Sequence, residues 1–179
     1  MKAKKQDNKK LLKLFEEDQN DRKKCKNSEK FWKRLRKKDK NRREIVERIL
    51  KNKKIKTGTD FYHASMVFQH GESVKDFRKA QFLAEKSINL NYEKAKWLYA
   101  ATTDRLLMFQ GKKQKFGTQF QFITTPNKIK KNPPKQKWVL YPVDKRISDK
   151  IRTKYNVELL KKSTKRAREM NQRLNVSFD

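Results

Sequence analysis

His63 and His70 are the two histidines of a 179-residue chain, and they stand seven positions apart. On a helix that spacing is two turns, so both imidazoles project from one face, about 10 Å apart along the axis. With Asp104 and Arg105 they form the candidate catalytic set. One imidazole would remove a ribose 2'-hydroxyl proton as general base, the other would protonate the leaving oxygen, and the guanidinium would steady the phosphorane-like charge. This is metal-independent ribonuclease or phosphodiesterase chemistry, and Gln114 and Gln119 are its polar neighbours in sequence. Neither histidine belongs to an HExxH arrangement, and the single Cys25 makes no cysteine-rich zinc site, so no metal and no cofactor are expected. The plain structural reading competes: His70 beside Gly71 closes a helix, and Asp104 with Arg105 is a buried structural pair.

The cations carry a second kind of chemistry. Lys plus Arg number 50 against 20 Asp plus Glu, a formal charge of +30. Charge of this size opposes compaction by self-repulsion, and an anionic partner relieves it. The excess is segregated: residues 1–56 carry net +15, residues 57–110 net +1 and residues 111–179 net +14. The densest run is Lys33, Arg34, Arg36, Lys37, Lys38, Lys40, Arg42 and Arg43, preceded by Phe31 and Trp32, and its neighbourhood offers too few carboxylates to pair it. Lys112, Lys113 and Lys115 follow in the segment GKKQKFGTQ, then Lys130 and Lys131, then Lys161, Lys162, Lys165 and Arg166. Such groups neutralise phosphates and release counterions, while interleaved aromatics stack on unpaired bases. Trp32 by itself reads better as docking on a core. GKKQKFGTQ lacks the GxxxxGK[ST] order, which disfavours nucleotide hydrolysis.

Helices must position most of these groups. Residues 9–21 place Leu11, Leu12, Leu14 and Phe15 ahead of an acidic run. Ser28 is an N-cap for a helix whose apolar positions Phe31, Leu35, Ile45, Val46 and Ile49 reach Leu50. Thr57, Gly58 and Thr59 break the pattern. A helix from Asp60 stops at Gly71, another covers 76–89 with Phe77, Ala80, Ala84 and Ile88 on one stripe, and a third runs from Tyr92 to about Phe109. Small residues on facing stripes predict close antiparallel packing, like the helix pairs of tetratricopeptide-like and Sel1-like repeats. Phe116, Thr118, Phe120 and Phe122 alternate as a strand does, and residues 138–141 supply its partner across a proline-bearing loop. Residues 148–155 and 157–174 are helical. The expected fold is therefore mainly α: a small helical bundle with a tetratricopeptide-like antiparallel helix pair, a short β-hairpin near 116–142, and basic N- and C-terminal extensions. The domain reading is a basic helical N-terminal arm at 1–56, a near-neutral helical core at 57–122, and a basic loop with C-terminal helices at 123–179.

Four segments together resemble a family of uncharacterised bacterial helical proteins: DQNDR at 18–22, DFYHASMVFQHG at 60–71, DRLLMFQGKKQKFGTQ at 104–119 and WVLYPVDKRISDKIRTKYNV at 138–157. The resemblance implies a compact helical domain and no particular reaction. It directs attention to Asp18, Gln19, Arg22, Asp60, His63, Gln69, His70, Asp104, Arg105, Gln114 and Gln119, polar residues that could converge in one pocket. The extra lysines depart from the family pattern and imply an older fold recruited onto nucleic acid.

The leading expectation is a non-enzymatic nucleic-acid-binding protein, RNA favoured over DNA, working with other proteins in a ribosome or another ribonucleoprotein assembly. Its rivals are the ribonuclease-type enzyme described above and a DNA-compacting or virion-packaging protein. No run approaches the eighteen or so apolar residues of a membrane span, and MKAKKQDNKK has no signal-peptide stretch, so no membrane partner is expected. The lone cysteine fits a reducing, intracellular compartment, whether cytoplasm, organelle matrix, nucleus or virion.

Overall fold

The computed structural model describes residues 6–24, 28–52, 55–125 and 135–176. Among them are the helices α1 (Lys9–Lys23), α2 (Glu29–Lys51), α3 (Gly58–Gln69), α4 (Val74–Asn89) and α5 (Ala95–Phe109), the strands β1 (Phe120–Thr125) and β2 (Lys135–Leu140), and the helices α6 (Asp149–Lys154) and α7 (Leu160–Val176). The fold is mainly helical with one antiparallel hairpin, as the periodicity predicts. Packing divides the chain into two compact units, 1–102 and 103–179, whereas net charge divides it at 56 and 110.

In the first unit every helix start up to α4 is set by a side chain that accepts from an otherwise unpaired amide. Asn8 accepts from the Leu11 N–H, Ser28 from Phe31, and Thr57 from Asp60. Ser73 and Asp76 form a reciprocal capping box on α4. Leu11 and Leu14 of α1 and Val46 and Ile49 of α2 join Ala64, Val67 and Phe68 of α3 and Ala80 and Leu83 of α4 in one core. The two described helices of the basic N-terminal segment, α1 and α2, thus contribute side chains to this core. Ala64, Ala80 and Ala84 are fully buried, and the Ser65 hydroxyl donates to the Ala80 carbonyl at 2.7 Å. Ser87 likewise donates to the Gly58 carbonyl at 2.6 Å, so the start of α3 meets the end of α4 and the pair is antiparallel. Asp60 reaches outward from α3 to accept the Asn8 N–H at 2.7 Å, which ties α1 to the pair.

Gly71 follows the C-cap of α3 for a steric reason. A Cβ there would lie 2.2 Å from the Asp76 Cβ, in the capping box of the next helix. Gly111 is the opposite case, with open space around it but a φ of +68°.

In the second unit β1 and β2 pair with Phe120 opposite Leu140 and Phe122 opposite Trp138. The strand expected from Phe116 begins only at Phe120. Phe116 and Thr118 lie in a loop because the buried Asp104 carboxylate takes the N–H groups of Lys115, Phe116 and Thr118 that a ladder would have used. Below the hairpin, Gln114 bridges Val143 in parallel, exchanging backbone hydrogen bonds with Pro142 and Asp144. Asn171 of α7 accepts from the Trp138 N–H at 2.6 Å and donates to its carbonyl at 2.9 Å, closing that stretch of the β2 edge. Arg152 of α6 is buried, donates to the Phe116 and Ile147 carbonyls and lies beside Asp149. Among the described residues no helix is long and apolar enough to cross a membrane.

The two glycines predict different losses. Gly71→Ala must push Asp76 out of its capping box and should cost about 2–3 kcal/mol of stability in urea unfolding, as an overpacked site does. Gly111→Ala meets only backbone strain and should cost about 1 kcal/mol. Equal losses would show that the Asp76 contact is not what restricts position 71.

Candidate functional site

Of the polar residues of the sequence motifs, Asp18, Gln19, Arg22 and His70 gather in the first unit and Asp104, Arg105, Gln114 and Gln119 in the second, while Asp60 and His63 take other partners. In the first unit Asp18, 1% exposed, accepts from the Gln19 amide at 2.8 Å, from Arg22 Nη1 at 2.7 Å and from His70 Nδ1 at 3.0 Å. Arg22 Nη2 continues to Asp39 at 2.8 Å, Asp39 accepts Arg42 Nη1 at 2.9 Å, and Arg42 Nη2 reaches Asp21, which Lys38 also holds at 2.8 Å. Carboxylate and guanidinium thus alternate from α1 to α2. Burial pushes the Asp21 carboxyl up, but hydrogen bonds and charge from Lys38 and Arg42 prevail and leave it below the usual range. Burial opposes the charge on Arg42, and Asp21, Asp18 and Asp39 overcome it and raise its pKa above the ordinary value. Arg43 donates to the His70 carbonyl at 3.0 Å and lies 3.6 Å from Asp76.

This network corrects one expectation. The cationic run does find carboxylates, namely Asp18, Asp21, Asp39, Glu72 and Asp76, and Arg42 and Arg43 are buried among them. Those two arginines hold the unit together and are not surface phosphate ligands. Lys38 is bridged to Asp21, and Arg36 lies 3.7 Å from Glu72. Lys33, Arg34, Lys37 and Lys40 remain exposed and make no ion pair with another described residue. At helical spacing they form, with Lys30, one stripe about 15 Å long.

The imidazoles take different partners. His70, at the C-cap of α3, is oriented by Asp18 through Nδ1. His63 is buried, stacks on Phe15 with ring centroids 4.3 Å apart, and has no hydrogen-bond partner for Nδ1 among the described residues. Burial lowers its pKa, against the pull of Asp60, Asp7 and Glu16.

Asp104 and Arg105 belong to the second unit. Asp104 is fully buried and accepts four hydrogen bonds: Lys115 N at 2.7 Å and Phe116 N at 2.8 Å on one oxygen, Thr118 N at 2.9 Å and the Thr118 hydroxyl at 2.8 Å on the other. Burial pushes its carboxyl up, while these donors pull it down and only partly compensate. Arg105 donates to Gln119 Oε1 through Nε and Nη2, at 3.2 and 3.1 Å. Gln114 donates to the Gln119 and Tyr141 carbonyls and accepts the Gln119 N–H at 2.9 Å. The motif residues here clamp the loop 114–119.

Lys115 of this loop, with Lys112 and Lys113 just before it, lines a cavity of about 700 Å³, whose other walls include Lys145, Arg146, Leu107, Val143 and Ile147. Five cations face one carboxylate, Asp144, whose pKa is lowered to about 2 by hydrogen bonds from Arg146 and the nearby charge of Lys113. Lys145 and Arg146 were not among the sequence candidates. They lie some thirty residues away and arrive through the Gln114 to Val143 bridge. Lys161, Lys162, Lys165 and Arg166 are exposed on α7, with Lys165 3.6 Å from Glu169 and Arg166 4.0 Å from Glu158. Lys130 and Lys131 lie outside the described residues. Among the described residues no group of three or more His, Cys, Asp or Glu is placed to hold a metal ion. No protein-family model, curated protein or solved structure matches the chain.

Two outcomes follow. Asp104→Ala leaves three loop N–H groups without their acceptor and should cost about 3 kcal/mol or more in urea unfolding, since each orphaned buried donor costs about 1–3 kcal/mol. A loss below about 1 kcal/mol would mean that the carboxylate does not hold the loop. Because His63 has a lowered pKa in the folded protein, the unfolded chain takes up that proton first. Its contribution is therefore fully present above the ordinary histidine value of about 6.5 and is lost as pH falls below it. Unfolding free energy should drop more between pH 7 and 5 in the wild type than in His63→Phe, and identical slopes would contradict this burial effect.

Proposed function

We propose that the chain binds nucleic acid, RNA favoured over DNA, through phosphate contacts made by a cationic surface on each unit. The observation that carries this reading is the cavity in the second unit, where five cations surround one carboxylate on a scaffold braced by Asp104 and Gln114. The exposed stripe of Lys30, Lys33, Arg34, Lys37 and Lys40 on α2 supports it from the first unit, and exposed Lys161 and Lys162 on α7 extend the cationic surface of the second. Phosphates would supply the counter-charge that the protein's own 20 acidic residues, against 50 basic ones, do not. Within this reading the partners are RNA and the other proteins of a ribosome or comparable ribonucleoprotein assembly, in a reducing intracellular compartment. A DNA-compacting or virion-packaging protein would use the same electrostatics and would prefer duplex DNA in direct competition.

A second reading, a ribonuclease or phosphodiesterase, rests on the Asp18 to His70 hydrogen bond, in which a carboxylate fixes an imidazole beside Arg22. In that reading His70 is the acid or base, and the buried His63 is no equal partner. His63→Ala/His70→Ala separates the two ideas: binding survives, and any cleavage of RNA disappears.

Charge reversal tests the leading reading. Lys33→Glu/Lys37→Glu/Lys40→Glu and, separately, Lys112→Glu/Lys113→Glu/Lys145→Glu should each weaken binding of an RNA probe by about tenfold or more, with unchanged circular dichroism. Lys75→Glu/Lys86→Glu/Lys94→Glu, a change of the same size in the near-neutral region, should weaken it much less. Equal losses in all three variants would reduce the effect to net charge and overturn the assignment of surfaces.

A further inference from the structure

We infer that the β1–β2 hairpin is a stacking platform for unpaired bases, so that the ligand of the second unit is a single-stranded segment of nucleic acid; this rests on the phosphate-binding reading above. Phe122 is 44% exposed on a strand whose alternation puts Phe120 and Phe122 on one face, with Leu140 and Trp138 across from them. The Phe122 and Trp138 rings meet at 5.2 Å and 52°, leaving the phenyl group open to solvent beside a half-buried indole. An exposed aromatic pair is an apolar liability that base stacking converts into binding, and stacking tolerates any base because every base has a π-face.

Two neighbours select this occupant. The peptide of Trp138 is hydrogen-bonded on both sides of its outer edge by Asn171, so that edge does not accept a further protein strand there, and the residue bearing the indole is held in place. The hairpin also runs directly into the basic cavity, because the chain continues from β2 through Tyr141 and Pro142 to Val143, which bridges Gln114. At about 3.4 Å per residue the aromatic pair lies about 17 Å along the chain from the cavity wall at Val143, within the span of a short oligonucleotide. Lys137 is exposed on β2, while Lys112, Lys113, Lys115, Lys145 and Arg146 line the cavity. Phosphates on these cations leave the bases of a single strand facing the hairpin, whereas a duplex hides its base faces and offers phosphates alone.

Fluorescence anisotropy with the full chain and two labelled probes, a 12-nucleotide oligouridylate and a 12-base-pair RNA duplex, tests the platform. The wild type should bind the single strand more tightly. Phe122→Ala and Phe122→Leu should each lose about tenfold for the single strand while keeping duplex affinity within about twofold, and Phe122→Trp should keep both. Phe122→Leu retains apolar volume against Trp138, so its loss isolates stacking from packing. Wild-type single-strand affinity in both Phe122→Ala and Phe122→Leu, or equal losses for both probes, overturns the platform and leaves phosphate binding standing. A wild-type protein that binds neither probe overturns the phosphate-binding reading, and the platform with it.

Discussion

Carboxylates directed inward are the constraint on which the rest of this structure depends. With 20 acidic side chains against 50 basic ones, each buried Asp removes a counter-charge from the surface. Asp18, Asp39, Asp60 and Asp104 are all nearly inaccessible to solvent, and each accepts hydrogen bonds from a guanidinium or from backbone N–H groups. A buried charge is tolerated only when it is paired and hydrogen-bonded, so these residues dictate which arginines and which loops come inside. Asp39 and Asp21 draw Arg42 into the interface between α1 and α2, and Asp104 folds residues 115–118 around itself. What remains outside is overwhelmingly cationic.

Local signals were readable from residue types. Ser28 caps α2, the small residues of α3 and α4 pack face to face, and a hairpin forms within the expected span 116–142. Those features depend on neighbours a few positions away. The candidate sites depend on partners far apart in the chain, and there the reading was incomplete. Arg42 and Arg43 look like any other members of a basic run until Asp21, Asp39 and Asp76 are brought beside them. Phe116 and Thr118 alternate as a strand should, but one carboxylate outcompetes the ladder for their amides. Lys145 and Arg146 join the cavity only through a bridge between residues 114 and 143, and nothing in their local sequence announces it. The compositional boundaries at 56 and 110 trace charge, while the packing boundary falls inside α5, a helix that periodicity shows as continuous.

The two histidines illustrate why spacing alone is a weak guide to chemistry. Two helical turns put them on one face, yet one is sealed under Phe15 as a neutral aromatic and the other is oriented by Asp18 at the helix end. Polar motif residues that look like a reaction centre in the sequence serve, in the second unit, as a brace for a lysine-bearing loop. In the proposed reading a hydrogen-bonded loop bearing lysines suits phosphate recognition, since ammonium groups act as point charges that need no fixed geometry.

The salt dependence of RNA binding bears most directly on the claim that external phosphates balance the excess of cations over carboxylates. Measured from low to physiological ionic strength, log affinity should fall linearly with log salt, by about 0.7 per phosphate neutralised on a single strand, giving a slope of several units. An affinity that barely changes over that range would contradict the account, because no appreciable number of counterions would then be displaced.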